Sequence, residues 1–274
     1  MTAGLRPKMR DWLSKEYRFY HLGLSFLNLL NLRFPDYSKQ KLLLDWNHGQ
    51  LCFSDILVLS LPFRADRRKA AYSNFSQYLG IEFEFVDSFY GKLLEVSDIP
   101  SEILTDRSKE YLSLGSVGCL LTHLAVWKTV AQSQSGFTLI LEDDCVPCPT
   151  FRTVLNACHT EIPSDCDVLF VGGKSKAKWN IKNRVNKYIF ELSHFIRGTY
   201  GYAITPNGAE KMIEFGLPVD LTCGGVDDLI GVVLRSRHLK AYHTNPSIVK
   251  VDYSLESDIY NRYKPNKNYS TTVK

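Results

Sequence analysis

Apolar residues recur along this chain in three rhythms. Over residues 11–34 they fall at roughly helical spacing, at Trp12, Leu13, Phe19, Leu22, Phe26, Leu29, Leu30 and Phe34, which predicts an amphipathic helix. Unbroken short runs, Ile56-Leu57-Val58-Leu59, Phe137-Thr138-Leu139-Ile140-Leu141 and Val168-Leu169-Phe170-Val171, have no polar face and predict strands buried on both sides. Residues 81–86 alternate instead, as a half-buried strand does. Pro62 ends the first of these runs; between them lie a helix opened by Arg64 to Arg68 and running to about Leu79, and a glycine-bearing turn feeding an apolar helix over residues 114–127. A strand is expected over 199–204, a helix over 206–215, and another helix opening at Gly224-Gly225-Val226-Asp227-Asp228. Strand, basic turn, helix, strand is a right-handed crossover unit, so the fold class is α/β with a Rossmann-like, nucleotide-binding beginning.

This pattern divides the chain into an N-terminal helical extension (1–50), a main α/β domain (51–260) and a polar, basic tail (261–274). With 45% hydrophobic and 23% charged residues among 274, there is ample material for a core, which excludes wholesale disorder. The net charge of +4 is unevenly placed, in one block from Arg6 to Arg18 and another from Lys174 to Lys187. Such blocks are solvated faces, or they lean on anionic lipid or a phosphorylated substrate; without a recognition motif they predict no nucleic-acid partner. The amphipathic helix suits peripheral membrane contact, although packing on its own domain is the commoner fate. Its most apolar run, Leu22 to Leu32, is interrupted by Asn28 and Asn31 and is too short to span a bilayer. The 7 cysteines are irregularly spaced, and Cys145-x-x-Cys148 has no second pair at zinc spacing, which points to a reducing compartment. With no secretory signal apparent, the expected location is cytoplasmic, at the membrane if the helix docks there.

The candidate chemistry starts where the strand at Phe137 runs into Glu142-Asp143-Asp144. Ligands of open α/β sheets bind at the carboxyl ends of strands, so three acids there are placed to hold a hard metal ion. The bland alternative is a solvated turn bent by Pro147 and Pro149. Arg64, Arg67 and Arg68 follow the first strand, where a phosphate-bearing ligand would lie. Gly115, Ser116 and Gly118 are small enough for close approach of a ligand. His123, by spacing alone, is more simply a satisfied core histidine. Asp227 and Asp228 either favour the positive end of a helix dipole or serve as a catalytic base.

Taken in order, these stretches resemble glycosyltransferase family 25, the lipooligosaccharide and collagen galactosyltransferase group. The resemblance rests on Ile56 to Arg68, Gly115 to Lys128, Leu141 to Asp144, Gly198 to Ala209, Pro218 to Asp228, Pro246 to Val249 and Ser257 to Ile259. It implies a GT-A-type fold and an inverting transfer of a hexose, usually galactose, from a uridine diphosphate (UDP) sugar to a glycan or glycolipid acceptor. It further implies Mn2+ or Mg2+ on Asp144, with His243 as a late ligand and Asp227 or Asp228 as base. Leu61, Arg64, Arg67, Ser116, Gly118, His123, Glu142 and Asp143 would line the nucleotide sugar. The family usually has Asn where this chain has Ser60. The competing reading is an inactive family member serving as a binding module, against which the retained acids count. A nucleotidyltransferase would carry a glycine-rich phosphate loop after the first strand, where this chain has arginines.

Overall fold

The computed structural model describes residues 53–77, 80–133, 136–175, 183–192, 196–255 and 257–259. The predicted N-terminal helix, its connector and the tail lie outside them. In chain order the strands are β1 (Phe53–Ser60), β2 (Glu84–Asp87), β3 (Phe137–Glu142), β4 (Cys145–Pro147), β5 (Val168–Phe170), β6 (Lys174–Ser175), β7 (Ile189–Glu191), β8 (Ile196–Arg197), β9 (Gly201–Ile204), β10 (Ala241–Thr244) and β11 (Val249–Val251). The helices are α1 (Ala65–Ala71), α2 (Asp106–Tyr111), α3 (Leu114–Ala131), α4 (Phe151–Glu161), α5 (Pro206–Gly216) and α6 (Val226–Arg235).

Seven strands form one mixed sheet in the order β2-β1-β3-β9-β5-β10-β7. β1 runs parallel to both β2 and β3, whereas β9 is antiparallel to both β3 and β5. The unbroken apolar runs are buried on both faces, as their lack of a polar side predicts. Leu57, Leu59, Ile140 and Tyr202 face Leu120, Leu124 and Trp127 of α3 together with α5 and α6. Ile56, Val58, Leu139 and Leu141 face Ala71, Phe75 and α4 on the other side. The result is a Rossmann-like three-layer arrangement. α3 is long and apolar enough to cross a bilayer, but ten of its residues are buried, and it packs against the sheet and α5 as a core helix.

Three differences from the sequence reading have local causes. The helix expected up to residue 79 is α-helical only to Ala71 and widens into a π-helix over Tyr72–Gln77. α3 starts at Leu114, not after a glycine turn, because the Ser113 hydroxyl accepts the Ser116 N–H at 3.1 Å and caps it. β2 starts at Glu84, since the Ile81 N–H is already used by the Phe75 carbonyl at the end of the preceding helix.

Candidate active site

The chain passes from β1 to β2 on one side and then returns to place β3 on the other side of β1. That reversal opens a crevice at the carboxyl ends of the strands, the usual ligand position in open α/β sheets. A cavity of about 430 Å³ lies there, the size of a small-molecule site. β1 and its following turn contribute Ser60, Leu61 and Arg67; the loop after β2 contributes residues 88–91. α3 presents Gly115, Cys119, Thr122 and His123, and β3 delivers Glu142, Asp143 and Asp144. Residues 251–255 and 257–259 form the remaining wall, with Asp258 ion-paired to Arg64.

The three acids are not a solvated turn. Asp143 is buried, with one oxygen accepting the Ser60 hydroxyl at 2.7 Å and the other accepting from Arg67 at 2.6 Å. The same Arg67 nitrogen stands 3.6 Å from Asp144 Oδ2, whereas the buried Asp144 Oδ1 has no hydrogen-bond partner among the described residues. Burial raises the Asp144 carboxyl above the usual carboxylate range, with the Asp143 charge adding to it and Arg67 opposing. Glu142 is raised too, by burial and then by the charges of Asp144 and Asp143. The cluster is short of positive charge and has a free buried oxygen, so its donors fit a hard divalent cation.

His123 is 1% exposed and held by burial at about 3, hence neutral. Its Nδ1 is 2.7 Å from the Tyr202 hydroxyl, which also accepts the Trp127 indole N–H at 2.8 Å. One side of the ring is therefore the satisfied core histidine expected from spacing. The other is not, because Nε2 has no partner among the described residues. Cys119, His123 and Glu142 bring sulfur, nitrogen and oxygen donor atoms within 4.8 Å of one another, a possible metal-binding triad.

Of the residues singled out in the sequence, Leu61, Arg67, His123, Glu142, Asp143 and Asp144 line the cavity. Asp143 has both oxygens engaged by protein, so it orients Arg67 and β1 and does not stand free for a ribose. Arg64 is not itself in the lining; it pairs with Asp66 and with Asp258, which is. Ser116 bonds to Ser113, and Gly118 allows the loop after β2 to approach: a Cβ there would stand 2.6 Å from the Phe89 carbonyl oxygen. Gly118 thus admits the chain's own backbone, whereas Gly115 both meets the Ile259 backbone and lines the cavity. His243 is inside β10, three strands across from β3 and level through its pairings with Ile140, so the sheet separates it from the acids. Asp228 accepts the Gly225 N–H and caps α6, while Asp227 accepts the Gly198 N–H at 3.2 Å and lies near enough to Glu142 and Cys119 for its charge to raise both. Sequence reasoning missed Cys119, although its position one helical turn before His123 was a usable signal. It also missed the wall after Val251, for which residues 194 positions from Arg64 give no local sign.

Residues 53–223 match the family model described as "Glycosyltransferase family 25 (LPS biosynthesis protein)". Among similar proteins, procollagen galactosyltransferase 2 of Mus musculus is 30% identical over 221 residues, covering 72% of this chain and 35% of that protein. A Haemophilus influenzae protein named as a glycosyltransferase is 28% identical over 207 residues, covering 73% and 71% of the two chains. The chain thus spans about a third of the length of the procollagen galactosyltransferase and most of the bacterial protein. The family match covers more than half of the chain and takes in the acids, Arg67 and His123: the chain belongs to glycosyltransferase family 25.

Proposed function

We propose that this protein transfers a hexose, galactose in the first instance, from a UDP-sugar to a hydroxyl of a glycan or glycolipid acceptor, with inversion and with Mn2+ or Mg2+. The observation that carries the reading is the buried, unpartnered oxygen of Asp144 in an acid-rich cavity at the β1/β3 switch point. Asp144 would hold the ion, with Glu142 beside it. A divalent cation bound there supplies Lewis-acid stabilisation of the charge that develops on the departing diphosphate.

The chain's own residues do the remaining work. Asp143 and Ser60 fix Arg67, so a guanidinium stands at the cavity wall without losing rotamer freedom when the donor binds. Residues 251–255 and 257–259 close one side of the cavity and limit water, which would otherwise compete with the acceptor hydroxyl. Inversion requires a base on the face opposite the leaving group. Asp227 is the better candidate because its charge reaches Glu142 in the cavity, although its oxygens accept the Gly198 and Asp228 N–H groups.

The test is calorimetric titration of UDP, UDP-galactose and UDP-glucose into the protein with and without Mn2+. Binding that needs Mn2+, discriminates between the sugars and disappears in Asp144→Asn is expected. Metal-independent binding, or an Asp144→Asn variant with the parent's affinity, would overturn the metal assignment; absence of all binding would favour a non-catalytic module.

A further inference from the structure

The cavity holds a second set of donors, of which the reading above uses only Glu142, beside the Asp144 ion. Cys119 and His123 are four residues apart on α3 and therefore share one face, and Glu142 meets them from the end of β3. We propose that Cys119, His123 and Glu142 form a cation site distinct from Asp144, one that takes a thiophilic divalent ion of the zinc class.

Proximity alone would not carry this, since the side chains could simply pack. The independent observation is His123 Nε2, a polar atom on a side chain 1% exposed and without a hydrogen-bond partner among the described residues, on a ring whose donor nitrogen lies within 4.8 Å of the thiol and the carboxylate. An orphaned buried ring nitrogen is costly, and coordination would satisfy it. The far side of the ring is already prepared. In the tautomer whose Nδ1–H donates to the Tyr202 hydroxyl, Nε2 keeps its lone pair for a cation, and the Trp127 indole N–H holds Tyr202 in place. Metal-binding histidines are oriented in this way by a partner on the other ring nitrogen.

The donor types decide the ion. Thiolate and imidazole favour zinc or cobalt over magnesium and manganese, whereas Asp144 offers oxygen alone. Three protein ligands leave a fourth position open toward the cavity, the pattern of an accessible zinc site rather than a closed structural one. Loading releases the Cys119 proton to solvent, because the thiolate is the ligand form. A bound ion would share the cavity with the nucleotide sugar, so zinc-class ions would compete with donor binding there.

Co2+ is the probe, since tetrahedral cobalt bonded to sulfur gives a near-ultraviolet charge-transfer band that oxygen-only sites lack. Stoichiometric Co2+ added to the whole reduced protein should produce the band, and Zn2+ should abolish it while excess Mg2+ does not. The band should vanish in Cys119→Ser and persist in Asp144→Asn, so failure of this site and failure of the Asp144 assignment are separable. X-ray absorption of the unmodified protein loaded with stoichiometric Zn2+ needs no variant and should show one sulfur with nitrogen and oxygen neighbours. An all-oxygen shell, two or more sulfurs as Cys145 and Cys148 would supply, or a cobalt band that survives Cys119→Ser would overturn the proposal.

Discussion

Asp143 and Asp144 occupy one turn yet differ in what they can do, because Ser60 and Arg67 consume both oxygens of the first and leave one oxygen of the second free. Ser60→Ala removes a donor from a buried carboxylate, for which the cost is about 1–3 kcal/mol. Urea denaturation should show that loss with an unchanged slope, and Ser60→Asn, the residue usual in the family, should lose less because its amide can donate in the same direction. The pair at the start of α6 separates by position, since Asp227 lies near enough to Glu142 for its charge to raise it, whereas Asp228 caps the helix. Asp227→Asn should lower kcat by about a hundredfold to ten-thousandfold if it removes a base. Asp228→Asn should cost about 1 kcal/mol or less in stability, since Asn also caps well, and change turnover little. Steady-state kinetics beside thermal melts would tell the two apart; a large kcat loss confined to Asp228→Asn would reverse the assignment. The types and positions of these acids were legible in the sequence, but their partners were not. Ser60 and Asp143 are 83 positions apart, and no periodicity links them.

At the scale of elements, α3 carries three tasks on three faces. Leu120, Leu124 and Trp127 pack on the sheet, Cys119 and His123 turn to the cavity, and Gly118 lets the loop after β2 lie against the helix. That close approach makes a strong prediction. In Gly118→Ala the added methyl would stand 2.6 Å from the Phe89 oxygen and 2.7 Å from the Gly91 nitrogen, both backbone atoms with little freedom to yield. Overpacking of this kind costs about 1–3 kcal/mol, and the variant should also lose donor affinity, because residues 88–91 line the cavity. A melt and a titration matching the parent's would show that the loop is not constrained by the helix. The apolar character of α3 was evident from its residues. Which purpose each of its glycines serves was not legible, since close approach by a ligand and by the chain's own backbone demand the same small residue.

For the molecule as a whole, the sheet buries histidines that the unfolded chain leaves in water. His243, in the middle of β10, is 1% exposed and pushed by burial from the ordinary 6.5 down to about 4. Between these values the unfolded chain binds a proton that the folded protein does not, so stability falls as the pH is lowered through that window. Above 6.5 the contribution is complete, and below about 4 it is lost. Each such histidine contributes a slope of about 1.4 kcal/mol per pH unit. Denaturant midpoints from pH 7 to 4.5 should follow this trend, and His243→Gln should flatten it by one proton; an unchanged slope in that variant would mean that His243 is protonated in the fold.

The sequence by itself determined which segments become buried strands and helices, because unbroken apolar runs and 3.6-residue periodicity are local properties. It also determined where charge gathers, since acids and arginines at strand ends sit beside those runs. Tertiary structure alone decided which of these groups meet. The β1/β3 reversal made the cavity, the return of residues 251–255 and 257–259 walled it, and the strand order put His243 three strands from the acids while bringing Cys119, His123 and Glu142 together. Hydrogen bonds and burial act through space, and it is they, not spacing along the chain, that left Asp144 and His123 each with one atom still to be satisfied.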